Sequence, residues 1–283
     1  MVVEAVPEAK YADVGDGLSM HYHDDGPAEG GVAKGTVVFI HGSGPGASGW
    51  SNFKHNYPVL NDAGYRTLVP DTLGYGYSSM PEDGDYGLAN LAARYAALIE
   101  AAGAGSVTLV GNSQGGAIAI RMALEYPQLV DKLVLMAPGG LEQREVYMEM
   151  QGIQAMVKAF FSKSGLTRES MRGVFELQLH DPSKITDALI EERYQIAVTQ
   201  PKTVISKMKV DNQEDRLSEI ACPVLCFWGV DDKFCPVSGA MKVATRCKRS
   251  RTVVISACGH WVMVEYPELF NGTLVRFLDG TLG

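Results

Sequence analysis

Residues Val107 to Gly116 read VTLVGNSQGG. A β-branched apolar run, Val107 to Val110, stops at a glycine. A stretch of helical character, Gln114 to Glu125, follows at once. Between them, Gly111-Asn112-Ser113-Gln114-Gly115 is a G-x-S-x-G pattern in the strand–turn–helix setting that this motif requires. A turn that sharp strains the serine backbone and brings strand and helix so close that only small residues fit at 111 and 115. The hydroxyl then stands at the carboxyl end of a strand and at a helix N-terminus, whose amides favour developing negative charge. Ser113 is the expected nucleophile.

Outward from this turn, short apolar runs recur, each bounded by turn residues: Thr36 to Ile40, Thr67 to Val69, Leu133 to Met136, Val224 to Trp228 and Thr252 to Ile255. Continuous apolar runs suit strands buried on both faces, as in a parallel sheet. Helical patterns lie between them, at Leu88 to Ala102 and Glu265 to Leu278 as well as after Ser113. The alternation predicts an α/β fold with a mostly parallel sheet and right-handed crossovers. It breaks over 139–211, where Met, Glu, Gln, Lys and Arg dominate and no strand is evident. That stretch reads as helices over Glu142 to Phe161, Thr167 to Leu179, Ile185 to Gln200, and a shorter one after Pro201. The expected organisation is a core in two parts, 1–138 and 212–283, with 139–211 inserted as a helical lid over the site.

A serine hydroxyl is a weak nucleophile at neutral pH and needs a base held by a carboxylate. Where the serine sits on such an elbow, the chain order is Ser, acid, His. The Val224 to Trp228 strand is followed by Gly229-Val-Asp-Asp232, and the Thr252 to Ile255 strand by Ser256-Ala-Cys-Gly-His260-Trp261. Both Asp231 and Asp232 qualify as the acid. The spacing usual in this arrangement, three after the glycine, favours Asp232, and leaves Asp231 as a turn or capping residue. Of the six histidines, His260 alone combines order, strand context and small neighbours. His21 and His23 fall in an N-terminal strand and read as surface residues. His55 and His180 fall on helices, and His41 reads as a structural residue of the loop it opens. That loop, Ile40 to Gly49, is IHGSGPGASG, and its exposed amides suit an oxyanion hole shared by the N–H groups of Ser43 and Gln114. The Lys-Ser/Thr of a phosphate-binding loop is absent from it.

The chain has 283 residues, of which 46% are hydrophobic and 20% charged, with a formal net charge of −8. This is globular material, and the charge argues against nucleic acid or an anionic membrane surface as partner. Five cysteines, at 222, 226, 235, 247 and 258, read as buried thiols rather than a disulfide framework or a metal site. With no basic-then-apolar leader and no apolar run of about 18 residues, the chain reads as cytoplasmic.

His41 to Asn52 fits the pattern H-G-x-G-P-G-A-x-x-W-x-N. Together with GNSQGG, GVDDKF and CGHW it resembles the meta-cleavage product hydrolases of the α/β-hydrolase superfamily, over essentially the whole chain. The resemblance implies hydrolysis of the C5–C6 bond of 2-hydroxy-6-oxo-hexa-2,4-dienoates, after ketonisation, by a Ser113–His260–Asp232 triad. It implies no cofactor and no metal, an anionic dienoate as small-molecule partner, and a homo-oligomer, a dimer or higher. It also carries over substrate contacts: Asn52 and Asn112 at the hydroxy-dienoate end, Arg193 for the carboxylate, Phe234 and Trp261 as apolar walls, and Gly42 as a further substrate-binding residue. A planar guanidinium suits bidentate carboxylate binding. Read without the resemblance, Arg193 is a solvated helix charge. The chain departs from the family pattern in having Gln114 where Met is common, and in lacking, within KVDNQEDRLSEI (residues 209–220), the Trp found there in some members, which leaves the shape of the C6 pocket open. A carboxylesterase or lactonase would use the same triad without needing Arg193 and the two Asn. A ligand sensor on this fold would not need the complete triad.

Overall fold

The computed structural model describes residues 6–27, 31–163 and 165–282. Eight strands form one sheet: β1 (Lys10–Asp13), β2 (Ser19–Asp25), β3 (Thr36–Ile40), β4 (Arg66–Pro70), β5 (Val107–Asn112), β6 (Val130–Met136), β7 (Val224–Gly229) and β8 (Ser250–Ile255). Their spatial order is β1-β2-β4-β3-β5-β6-β7-β8. The first two pairings, β1 with β2 and β2 with β4, are antiparallel, and the remaining five are parallel. The helices are α1 (Gly49–Phe53), α2 (Tyr57–Asp62), α3 (Leu88–Ala101), α4 (Gln114–Glu125), α5 (Arg144–Glu149), α6 (Gln151–Phe161), α7 (Arg168–Glu176), α8 (Asp187–Ala197), α9 (Lys202–Lys207), α10 (Ser238–Arg246), α11 (Val262–Glu265) and α12 (Pro267–Leu278).

Strands β5 and β7 are buried along their whole length, as their unbroken apolar character requires. The equally apolar β8 is not buried on both faces. It is the last strand of the sheet, and Val254 is exposed. The helix expected from Glu265 is interrupted at Tyr266, which takes φ −129° and ψ 58° before Pro267; a residue ahead of proline is pushed out of the helical region. The helix expected over Glu142 to Phe161 divides at Met150, whose backbone is extended.

Register aligns the carboxyl ends of the central strands. Ile40 pairs with Gly111, Asn112 with Met136, Met136 with Phe227, and Gly229 with Ile255. The loops that open at His41, Ser113, Val230 and Ser256 therefore start side by side. Helices α5 to α9 lie in sequence between β6 and β7. Among the described residues no helix is long and apolar enough to cross a membrane.

Candidate active site

Ser113 sits on the turn from β5 into α4 with φ 57° and ψ −118°, a conformation that costs a non-glycine residue about 1–3 kcal/mol. The turn is held by backbone bonds: the Ser113 amide donates to Met136 O at 3.0 Å, and its carbonyl accepts the Gly139 amide at 2.9 Å. The crossing is as tight as the motif demands. A Cβ on Gly115 would come within 2.0 Å of Ile40 O, and one on Gly111 within 2.4 Å of Gly115 O.

Asp232 Oδ1 accepts the amides of Phe234 and Cys235 at 2.7 and 2.9 Å, and Oδ2 lies 2.7 Å from His260 Nδ1. A carboxylate so placed has only acceptors to offer, so Nδ1 carries the proton and Nε2 of the neutral ring is left as a base. Phe234 stacks on the imidazole, with ring centres 5.1 Å apart. Asp231 is not at this position. It meets His180 on the protein's outer side, Oδ2 to Nδ1 at 2.8 Å, with both side chains partly exposed. His180 lies in the connection after α7 rather than on a helix.

One cavity gathers most of the residues singled out in the sequence. Gly42, Ser43, Asn52, Asn112, Ser113, Arg193, Phe234, His260 and Trp261 line it, while Asp232 stands behind the histidine and Gln114 begins α4. The amides of Ser43 and Gln114 donate to no backbone carbonyl among the described residues, so both are open to an oxyanion. His41 braces their loop from behind: its Nδ1 donates to Gly42 O at 2.8 Å, and Nε2 accepts the Thr72 amide at 2.9 Å. Burial pushes the His41 pKa down, which keeps the ring neutral as the Nε2 bond requires. Asp71 braces the far end of the loop, accepting the Gly49 amide at 2.7 Å and the Tyr77 amide at 2.9 Å. His21 completes that bracket, with Nδ1 2.9 Å from Asp71 Oδ2. His21 and His23 are both buried, not on the surface, because β2 lies inside the sheet beside β4.

Arg193 on α8 is 1% exposed. One Nη donates to Asn52 Oδ1, while Nε and the other Nη have no partner among the described residues. The guanidinium carbon lies 4.9 Å from the Trp261 ring centre and 5.2 Å from that of Phe175. Burial lowers its pKa to about 10. The neighbouring carboxylate, Glu192, is engaged by Lys54 at 2.8 Å. The oxyanion loop packs directly on the arginine backbone: a Cβ on Gly46, at φ +61°, would come within 1.9 Å of Arg193 O. Asn112 shares the unpaired character. Its Nδ2 donates to Met136 O at 3.2 Å, while its Oδ1 is buried without a partner among the described residues.

Several residues at the site carry no signal in the sequence. Ile153 and Met156 on α6, and Gln178 after α7, also line the cavity. The Cys235 thiol lies beside Ser113, and burial raises its pKa well above the ordinary thiol value. Buried Glu265 ties the His260 loop to the stretch after α7. Residues 209–220 contribute nothing to the cavity lining.

An elbow serine at the carboxyl edge of this sheet, with open amides opposite and a His–Asp pair beside it, defines an α/β hydrolase. The alpha/beta hydrolase fold family matches residues 35–267. A 2-hydroxy-6-oxo-6-phenylhexa-2,4-dienoate hydrolase of Comamonas testosteroni is 34% identical over 276 residues, covering 94% of this chain and 93% of that protein. A 2-hydroxy-6-oxononadienedioate/2-hydroxy-6-oxononatrienedioate hydrolase of Paraburkholderia xenovorans is 36% identical, covering 98% of each chain. The solved structure of a meta-cleavage product hydrolase from Pseudomonas fluorescens superposes with a TM-score of 0.83 at 26% identity, over 96% of this chain and 97% of that one. The chain belongs to the α/β-hydrolase superfamily and, within it, to the meta-cleavage product hydrolases, a family of carbon–carbon bond hydrolases.

Proposed function

We propose that this enzyme hydrolyses the C5–C6 bond of a 2-hydroxy-6-oxo-hexa-2,4-dienoate with an apolar group on C6. The observation that carries the reading is Arg193: a fully buried guanidinium, with two nitrogens unpartnered among the described residues, lining the same cavity as Ser113. A buried cation of this kind is costly unless a ligand completes it. A carboxylate matches it in charge and shape, and a simple ester substrate would leave it bare.

In this reading the dienoate carboxylate lies on Arg193, with its 2-oxygen toward Asn52 and Asn112. Ketonisation moves a proton to C5 and turns the dienol into an electron sink for the departing fragment. Ser113, giving its proton to His260, attacks the C6 ketone. The Ser43 and Gln114 amides stabilise the oxyanion by roughly 3 kcal/mol per donor. The C5–C6 bond breaks with its electrons drawn into the dienoate, which leaves as 2-hydroxypenta-2,4-dienoate. Water then frees the acyl group from Ser113 as a carboxylic acid, with His260 again as the base. Helices α5 to α9 act as the lid that excludes bulk water. No cofactor is called for.

The related enzymes divide by their substrates' C6 groups: one takes a phenyl group, another a chain ending in a second carboxylate. Ile153, Met156 and Phe234 supply apolar wall, and Arg193 is the one Lys or Arg among the lining residues. Among the described lining residues a second carboxylate would meet no further Lys or Arg, which favours the apolar group. The test is a direct comparison. The 6-phenyl dienoate should be bleached with a kcat/KM about 100-fold or more above that of the nonadienedioate. Failure to bleach any such dienoate, with brisk turnover of aryl esters, would make the protein an esterase.

A further inference from the structure

Gln178 stands where the helical segment meets the His260 loop. Its carbonyl accepts the amides of His260 and Trp261, at 2.7 and 3.2 Å. Glu265 fastens the same junction. Its Oε1 accepts the His180 and Asp181 amides at 2.7 and 3.2 Å, and its Oε2 accepts the Gly259 amide at 2.5 Å. Residue 178 is therefore fixed relative to His260 by bonds on both sides of the loop. The residue lines the cavity and is 3% exposed, and its Oε1 is buried with no hydrogen-bond partner among the described residues. A bare acceptor in a buried pocket is unfavourable, so the species that docks there brings a donor.

On the reading above, the polar groups of the dienoate already have counterparts: Arg193, Asn52 and Asn112 for the hydroxy acid, and two amides for the oxyanion. The remaining reactant is water. It has two O–H bonds, and the reaction uses one of them toward Nε2 of His260. The other needs an acceptor. We propose that Gln178 Oε1 is that acceptor and that Gln178 holds the hydrolytic water against the acyl group on Ser113. The water oxygen bonds to the acyl carbon while one proton passes to His260. The second proton stays on the oxygen, hydrogen-bonded to Gln178. The tetrahedral intermediate then expels Ser113 Oγ, which takes the proton from His260, and the carboxylic acid leaves. A carboxamide suits this task. It is uncharged beside an anionic ligand, and its oxygen is too weak a base to take the proton itself.

The inference rests on the acyl-enzyme reading, and rapid mixing of the 6-phenyl dienoate with wild type and Gln178→Met tests it. Methionine keeps the side chain's length and removes the acceptor. In the variant, bleaching should show a burst close to the enzyme concentration, then a steady rate roughly 10- to 100-fold below wild type. Because acylation is untouched, kcat and KM should fall together, leaving kcat/KM within about twofold. Hydroxylamine, a stronger nucleophile than water, should restore turnover. A fall in kcat/KM without a burst, or no change at all, would overturn the assignment. If Gln178→Met does not fold, Gln178→Ala takes its place, the burst amplitude counting the working sites. A wild type that bleaches no dienoate overturns the proposed function and this inference with it. Bleaching by wild type, with an unchanged variant, overturns this inference alone.

Discussion

The guanidinium of Arg193 lies over the indole of Trp261, 4.9 Å from the ring centre, one residue past His260. The guanidinium, carried on α8, thus packs against the loop that carries the His260 imidazole. Arg193→Met removes both open donors. With charge-assisted hydrogen bonds contributing about 1.5–3 kcal/mol each, KM for the dienoate should rise about 100-fold or more, with a smaller change in kcat. Steady-state kinetics checks this, and an unchanged KM would remove Arg193 from the site.

The same substitution should stabilise the free enzyme. Burial lowers the Arg193 pKa to about 10, well below the ordinary guanidinium value. The charged form is therefore penalised in the folded protein by about 3 kcal/mol at neutral pH. Because the folded-state pKa of this base is lowered, the penalty is full below about pH 10 and fades as pH rises from there toward the ordinary guanidinium range. Urea denaturation at pH 7 should find Arg193→Met about 1–3 kcal/mol more stable than wild type, the gap narrowing above pH 10. A less stable variant at pH 7 would contradict the account.

Ser113, the proposed nucleophile, is also a point of backbone strain. Ser113→Ala should abolish turnover while still binding the dienoate. Ser113→Gly should be equally inactive yet more stable than Ser113→Ala, by about 1–2 kcal/mol, since glycine adopts a φ of 57° without penalty. Thermal unfolding of the two inactive variants side by side isolates this backbone effect from the chemistry.

Asp232→Asn should lower kcat by a factor on the order of 10⁴ with little loss of fold. Both amides that bond to Oδ1 demand an oxygen there. An asparagine is thereby forced to turn its NH₂ toward His260. That favours the tautomer with the proton on Nε2, where the base is needed. Retained kcat would show that Asp232 does not set the histidine's tautomer.

Local geometry was what the sequence made legible. The Ser113 elbow is specified by three adjacent constraints: a strand, small residues at 111 and 115, and a helix. Asp232 and His260 were legible because each follows a strand at a fixed spacing. Arg193 was not, since a charge on a helix reads the same whether it faces solvent or a cavity; the resemblance, not the periodicity, pointed to it. Gln178, Ile153 and Met156 lie in a segment where spacing marks helices but not which face meets the site. In SMHYHDD, Met20 and Tyr22 alternate with Ser19, His21 and His23, which puts the histidines on the polar face, and the burial of that face, where His21 meets Asp71, leaves no trace in the pattern. The apolar run of β8 reads as central because its place at the sheet's edge is a matter of strand order alone.

Glu265 offers a further test of how the His260 loop is held. Its two carboxylate oxygens accept three amides, from Gly259, His180 and Asp181. The Lys184 ammonium beside it bonds to the Glu265 carbonyl at 3.0 Å, not to the carboxylate. A glutamine is isosteric but presents only one oxygen, so Glu265→Gln must set an NH₂ group against either Gly259 or the His180–Asp181 pair. The loss of one amide contact and the clash of donors should destabilise the protein by about 1–3 kcal/mol. Because Gly259 directly precedes His260, the looser loop should also lower kcat, roughly 10-fold, while KM changes little, since Arg193 and Asn52 are anchored on other elements. Denaturation and steady-state kinetics on the one variant check both halves. Stability lost with kcat intact would mean that Glu265 serves the fold and not the histidine.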